Sequence, residues 1–162
     1  MSERSSSPSI HRRYFWLLTT LLFLFCLRVL GQILVAFFGV KFLPPMEEWM
    51  SGLLPYPELL ASQILIILLY GKICLDFARG CGYFVTPSRR LGINLLKFGW
   101  LYLGVMIIRY VIYVIRMALY PHERWAGGSI PIYFHWVLAS FLLVLGHHHW
   151  RATAHAPIAS SK

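Results

Sequence analysis

The sequence predicts an all-α fold, a bundle of four transmembrane helices, from its composition and from four long apolar stretches. Of 162 residues, 58% are hydrophobic and only 13% are charged, whereas a soluble domain is about 45–50% apolar and about 25% charged. This composition excludes a disordered chain and a disulfide-stapled secreted domain. The net charge of +9 is spread over helix ends and apolar segments, so nucleic acid is not a predicted partner.

Each apolar stretch approaches or exceeds the length of about 20 residues that crosses a bilayer. The predicted spans are about 14–38, 57–77, 98–119 and 130–147. They form a single domain, 14–150, between a disordered N-terminal tail, 1–13, and a C-terminal tail, 151–162. The first span is longer than the roughly 7–15 apolar residues of a signal peptide, which predicts a signal anchor.

The placement of lysine and arginine predicts the orientation of the bundle. The N-terminal tail, the segment between the second and third spans and the C-terminal tail hold most of these cations outside the spans. The other two loops are poorer, with Lys41 in one and Arg124 in the other. Because positive residues stay on the cytoplasmic side, both termini are predicted to lie in the cytoplasm of a bacterial-type inner membrane.

The first outer loop predicts a short interfacial helix. Glu47 and Glu48 fall in its first turn, where the helix dipole favours acidic residues, and Trp49 is expected to anchor it among the lipid headgroups. The alternative is a lid over an outward-facing cavity. Glu123 and Trp125, in the second outer loop, are predicted to join the same outer face.

The third span carries a polar stripe, defined by Tyr102, Arg109, Tyr113 and Arg116. Tyr102, Arg109 and Arg116 are seven residues apart, nearly two helical turns, and Tyr113 lies in the adjacent row. Because a charge in the hydrocarbon core is costly, the stripe is predicted to face other helices rather than lipid.

Further polar residues lie in the first two spans. Arg28 and Gln32 are one turn apart near the middle of the first, and Lys72 and Asp76 have the i,i+4 spacing of an intramembrane ion pair.

Two hypotheses compete for the role of the arginines. Glutamines, tyrosine hydroxyls and backbone carbonyls satisfy them and fix the packing, or a bound anion completes a site, because arginine binds phosphate and carboxylate bidentately. The candidate ligand-binding residues are Arg28, Gln32, Tyr102, Arg109, Tyr113 and Arg116.

The histidines offer weak candidates for a metal site, namely His135, His147 and His149. Adjacent histidines on a helix point about 100° apart, so the inner end of the last span is interpreted as an interfacial terminus beside anionic headgroups. Bis-histidine haem requires two facing histidines at one depth, and His135 has no such partner in another span. No metal or cofactor is predicted; quinone and lipid remain the alternatives, and haem is not favoured.

Several features resemble DoxX-type membrane proteins. They are four short spans, the Arg28-x-x-Gly31 pattern, a structured outer segment and the sequence GYFVTPSR at 82–89. The resemblance covers about the first 95 residues and implies an accessory subunit or partner of a redox system, in some members linked to quinone. The chain departs from that pattern in its third span and histidine-rich end, and no functional residue is carried over.

The sequence favours a non-catalytic protein, because nucleophile, zinc-protease and phosphate-loop motifs are absent and Asp76 is the one carboxylate inside the spans beyond the span-end residue Glu58. The leading hypothesis is an accessory or complex subunit with a buried arginine–tyrosine network. Its predicted partners are membrane lipids and a larger complex or a homo-oligomer. The first alternative is a redox partner that binds quinone or a small anion. The second is an anion transporter, which would need oligomers to form a pore.

Overall fold

A computed structural model describes residues 8–49, 55–120 and 129–154. The described residues form helices and connecting turns with no strand, which confirms the predicted all-α class. The helices are α1 (Pro8–Phe38), α2 (Met46–Trp49), α3 (Tyr56–Arg79), α4 (Arg89–Leu119) and α5 (Ser129–Ala154). The four longer helices are each long and apolar enough to cross a membrane.

Three helices extend beyond the predicted spans by more than one turn. α1 begins at Pro8, so residues 8–13, predicted as part of a disordered tail, are helical. α4 begins at Arg89, where the Ser88 hydroxyl caps it by accepting from the Leu91 amide, and α5 continues to Ala154. Hydropathy marks the segment that lies in hydrocarbon, whereas caps and backbone bonds set where a helix ends. The remaining tail residues lie outside the described part of the chain.

The end of α3 is fixed by a Schellman motif. Gly80 adopts a left-handed conformation, with φ of 65°. Its amide donates to the Phe77 carbonyl at 3.3 Å, and the Cys81 amide donates to the Asp76 carbonyl at 3.2 Å. These bonds satisfy carbonyls that the helix itself leaves open. The chain therefore turns sharply and enters the short α3–α4 connection.

The long helices are arranged in the order α3, α1, α5, α4. α1 packs against both α3 and α5, and α4 contacts α5 alone among the described helices. The aromatic rings of Tyr70 on α3 and Phe141 on α5 stack with centroids 3.7 Å apart. Leu18, Phe25 and Leu145 are buried beside this stack. The core thus lies between α1, α3 and α5, and α4 is left at the edge.

Glycines allow α4 and α5 to approach closely. A side chain at Gly99 would meet Leu143, and one at Gly146 would meet Leu96 at 3.0 Å. At Gly92 a Cβ would lie 2.8 Å from the backbone nitrogen of Trp150. Small residues at such positions are typical of helix interfaces in membranes, where association depends on van der Waals packing.

The two ends of the bundle differ in character. We call "basic end" the end formed by the start of α1, the end of α3, the start of α4 and the end of α5. The hydrogen bond between Tyr14 and His147 and the contact between Gly92 and Trp150 join these elements. α2 packs against α1 and α5 and lies at the opposite end.

Candidate functional site

A buried polar cluster occupies the half of the bundle nearer α2. We call it the arginine cluster and define it by Arg28, Gln32, Gln63 and Trp49. Arg28 Nη1 donates to Gln32 Oε1 at 2.8 Å, and Gln63 Nε2 donates to the same oxygen at 3.0 Å. Arg28 is 6% exposed and Gln32 is fully buried. The predicted Arg28–Gln32 pairing is confirmed, and Gln63 from α3 joins it.

Trp49 covers this cluster from α2. Its indole nitrogen donates to the Pro44 carbonyl at 2.9 Å, and its own carbonyl accepts from Arg28 Nη2 at 3.0 Å. The ring lies against Gly31, where a Cβ would come within 2.7 Å of Trp49 Cη2. Trp49 is only 7% exposed. The expectation that it anchors among lipid headgroups is therefore wrong, because Gly31 leaves room for the ring inside the bundle.

Some polar atoms of the cluster lack a partner. Arg28 Nε, Gln32 Nε2 and Gln63 Oε1 are buried and make no hydrogen bond to any described residue. The hydroxyl of Tyr56, which lies within electrostatic range of Arg28, is also buried and unbonded. A buried polar atom without a partner is costly. The packing hypothesis is thus supported for the Nη atoms of Arg28. It leaves three donors unsatisfied, namely Arg28 Nε, Gln32 Nε2 and the Tyr56 hydroxyl.

His135 on α5 lies between the arginine cluster and the polar stripe of α4. It is hydrogen-bonded to the Tyr102 hydroxyl and lies within electrostatic range of both Arg28 and Arg109. The ring of Phe134, the neighbouring residue, lies 5.5 Å from the Arg28 guanidinium carbon, in the geometry of a cation–π contact. The site therefore concentrates positive charge and hydrogen-bond donors, a chemistry suited to an anion or a polar carbonyl headgroup.

The polar stripe is covered by α5 only in part. Tyr102, Arg109 and Tyr113 are half-buried, but Arg116 is exposed, although the whole stripe was expected to face other helices. The reason is that α4 lies at the edge of the bundle, where no other described helix covers it. Among the outer-face candidates, Glu47 and Glu48 are exposed. Glu123 and Trp125 lie outside the described residues.

The predicted pairing of Lys72 with Asp76 is confirmed, while its place inside the membrane stays a prediction. Lys72 Nζ binds the Asp76 carboxylate, which is almost fully buried. Gly82 packs directly on that carboxylate and has a φ of 123°, a conformation that side chains disfavour. The pair lies far along α3 from Gln63 and does not neutralise the arginine cluster.

His148 and His149, expected beside lipid headgroups at an interfacial helix end, are covered by protein; the interfacial depth of that helix end stays a prediction. Both are buried because the α3–α4 connection folds over the end of α5. His148 Nε2 donates to the Val85 carbonyl, and the Ser88 amide donates to His149 Nδ1, each at 3.3 Å. These histidines hold the connection in place. Within the described residues, no three histidine, cysteine or carboxylate side chains gather as metal ligands would.

Four helices that are long and apolar enough to cross a membrane define an integral membrane protein of the all-α class. No family model, curated protein or solved structure matches the chain. The resemblance to DoxX-type proteins therefore stays a prediction.

Sequence reasoning missed the contributions of Phe134 and the burial of Trp49. The available signal was Gly31, which lies one helical turn after Arg28 and next to Gln32, because a glycine beside buried polar residues leaves room for a neighbouring side chain. Nothing in the local sequence identifies Trp49 as that neighbour, since it follows Gly31 by 18 residues in the chain.

Proposed function

We propose that the chain is a non-catalytic accessory subunit of a larger membrane complex. The observation that carries this proposal is Arg109, which is half-exposed on the edge helix α4 and makes no hydrogen bond or ion pair with a described residue. It lies ten residues before Leu119, roughly 15 Å from the end of the helix. A charge near the bilayer centre costs about 2.5–3.5 kcal/mol on the gentlest scale, and an acceptor on a partner helix would offset that cost.

The surroundings of Arg109 favour a partner protein over solvent. Ile108 and Ile112 beside it are exposed apolar residues, as expected for a surface that meets lipid or another helix. Among the described carboxylates, Asp76 is bound to Lys72 at the basic end. Arginine is suited to a partner's carboxylate or carbonyl groups because its planar fork makes two hydrogen bonds at once.

The distribution of charge supports an orientation with both termini in the cytoplasm of a bacterial-type inner membrane. The basic end gathers cations from four helices and their connections: Arg12, Arg13, Arg79, Arg89, Arg90, Lys97 and Arg151. The opposite end holds two described cations, Lys41 and Arg116, together with the acidic residues Glu47, Glu48 and Glu58. The positive-inside rule then assigns the basic end to the cytoplasm.

Site-specific photocrosslinking tests the proposed complex. A photoreactive amino acid at Ile112, one turn from Arg109, is compared in native membranes with one at Leu68 on the exposed face of α3. We expect a discrete crosslinked adduct from position 112. Arg109→Gln should abolish this adduct and Arg109→Lys should retain it. Position 68 should give no adduct. A wild-type chain that stays an 18.8 kDa monomer would overturn the proposal. An adduct of two copies would overturn it in favour of a homo-oligomer.

The unbonded atoms of the arginine cluster favour a second candidate, a redox partner that holds a quinone or a small anion. Arg28 Nε and Gln32 Nε2 are donors that a carbonyl or an oxyanion would satisfy. Native mass spectrometry from gentle detergent tests it. The wild-type chain should retain a stoichiometric small molecule that Arg28→Gln loses, while Arg79→Gln, an exposed arginine at the basic end, retains it. A bare wild-type chain contradicts this candidate.

A further inference from the structure

An open groove crosses the basic half of the bundle between α1, α4 and α5. It encloses about 510 Å³, within the roughly 300–1,000 Å³ of small-molecule sites. Its walls are almost entirely apolar and aromatic, formed by Tyr14, Leu17, Trp100, Leu143, His147 and Trp150. The arginine cluster contributes no residue to it, so this is a separate site.

The groove opens sideways, toward the surroundings of the helices. Leu17 and Trp100 on its two sides are more than half exposed, so the walls face outward rather than enclosing a sealed cavity. At its floor the buried Tyr14 hydroxyl is hydrogen-bonded to His147 Nδ1 at 3.0 Å. A molecule that enters from the bilayer would therefore meet an apolar channel whose few polar groups already have partners, which suits a hydrocarbon chain.

Cations lie at the end of this groove. Arg13 precedes Leu17 by one turn on the same face of α1, Lys97 precedes Trp100 by three residues on α4, and Arg151 follows His147 by four on α5. All three side chains are exposed. Arg151 also lies within electrostatic range of His147. Helical spacing thus places one cation on each of three helices next to a lining residue, and α3 contributes neither to the walls nor to this set.

We propose that the groove binds one anionic phospholipid. An acyl chain lies along the apolar walls, and the phosphate is held by Arg13, Lys97 and Arg151. Trp100 and Trp150 then lie at the depth between the lipid's acyl chain and its headgroup, where an amphipathic indole ring is most stable. The charge complementarity selects an anionic lipid, because clustered basic residues beside a membrane attract negative headgroups. This inference is independent of the proposed accessory role.

Native mass spectrometry of the full chain in detergent tests the site with added phosphatidylglycerol and, separately, phosphatidylcholine of the same acyl chains. We expect one bound phosphatidylglycerol and no phosphatidylcholine at equal concentration. Lys97→Gln should weaken binding about fivefold, the effect of one cation near an anionic headgroup. Arg79→Gln, at the same end but on α3, should leave the affinity unchanged.

A second pair of variants tests the groove itself. Leu17→Trp places a large ring in the groove from an exposed position and should abolish binding. Leu24→Trp, the same change two turns along α1 and outside the groove, should not. Equal binding of both lipids, or unchanged affinity in Lys97→Gln and Leu17→Trp, would overturn the proposal. A dimer that Leu17→Trp dissociates would also overturn it, by assigning the groove to a second copy of the chain.

Discussion

At Gly31 the absence of a side chain decides where α2 can lie. The Trp49 ring occupies the space that a Cβ would fill, with 2.7 Å between that position and Cη2. This contact also places the Trp49 carbonyl within reach of Arg28. One glycine on α1 therefore lets α2 reach the buried arginine.

Gly31→Ala should destabilise the protein by about 1–3 kcal/mol, the usual cost of overpacking, because either the ring or α1 must move. Gly71→Ala on α3 is the matched control, since nothing lies within 4 Å of its Cβ position and alanine favours a helix by about 1 kcal/mol over glycine. Unfolding in a detergent titration, followed by tryptophan fluorescence, measures both. Equal stability of the two variants would mean that the ring does not pack at Gly31.

Gln32→Leu should cost more than Gln63→Leu. Gln32 Oε1 accepts from both Arg28 and Gln63, so its removal leaves two buried donors without that acceptor, at about 1–3 kcal/mol for each unsatisfied group. Gln63→Leu removes one donor and leaves the Arg28–Gln32 bond. The same detergent titration compares the two variants. The shared-acceptor arrangement is contradicted if Gln63→Leu is the more damaging change.

The sequence predicts the contacts within a helix better than those between helices. Arg28–Gln32 and Lys72–Asp76 follow from i,i+4 spacing alone, since helical geometry fixes which residues share a face. The burial of Trp49 and the position of Phe134 over Arg28 depend on how α1, α2 and α5 meet. No local periodicity contains that information. The contacts within one helix could therefore be predicted, and the contacts between helices could not.

At the scale of elements, the pairing of α4 with α5 depends on closely spaced backbones. α4 has no other described helix against it, so this interface alone holds it in the bundle. Gly92 is its tightest point, with the Trp150 nitrogen and Gly146 oxygen both close to the Cβ position. Because these neighbours are backbone atoms, they cannot yield as the tip of a flexible side chain could.

Gly92→Ala should therefore separate the two helices at the basic end and destabilise the protein by about 1–3 kcal/mol. Gly104→Ala on the same helix is the control, since its Cβ position has no neighbour within 4 Å. Limited proteolysis in detergent should cut the α3–α4 connection faster in Gly92→Ala than in Gly104→Ala, because the histidines that hold this connection lie beside Gly92. Identical cleavage rates would show that the approach at Gly92 is not limiting.

The helix ends illustrate another limit of prediction from sequence. Apolar runs located all four long helices, because hydropathy reports the cost of placing each residue in hydrocarbon. The polar continuations at Pro8–Arg13, Arg89–Lys97 and Arg151–Ala154 are helical as well, and their composition gives no such signal. The same continuations bring the basic residues of α1, α4 and α5 together, so the charge at the basic end depends on structure that hydropathy does not detect.

For the whole molecule, the difference between its two ends predicts an orientation that a labelling experiment can measure. Cys81 lies exposed in the α3–α4 connection at the basic end, and Phe42 is the most exposed large hydrophobic residue at the opposite end. A variant with Cys26→Ala and Cys74→Ala keeps Cys81 as its thiol. A second variant replaces all three cysteines with alanine and carries Phe42→Cys.

A membrane-impermeant maleimide added to intact cells should label the Phe42→Cys variant and leave Cys81 unlabelled until the membrane is opened. The physical reason is that cationic residues resist translocation, so the end that gathers seven lysine and arginine side chains from the four long helices is expected to stay in the cytoplasm. Labelling of Cys81 in intact cells, with Phe42→Cys protected, would reverse the orientation. It would also move the proposed phospholipid to the outer leaflet, so this measurement fixes on which side of the membrane each site acts.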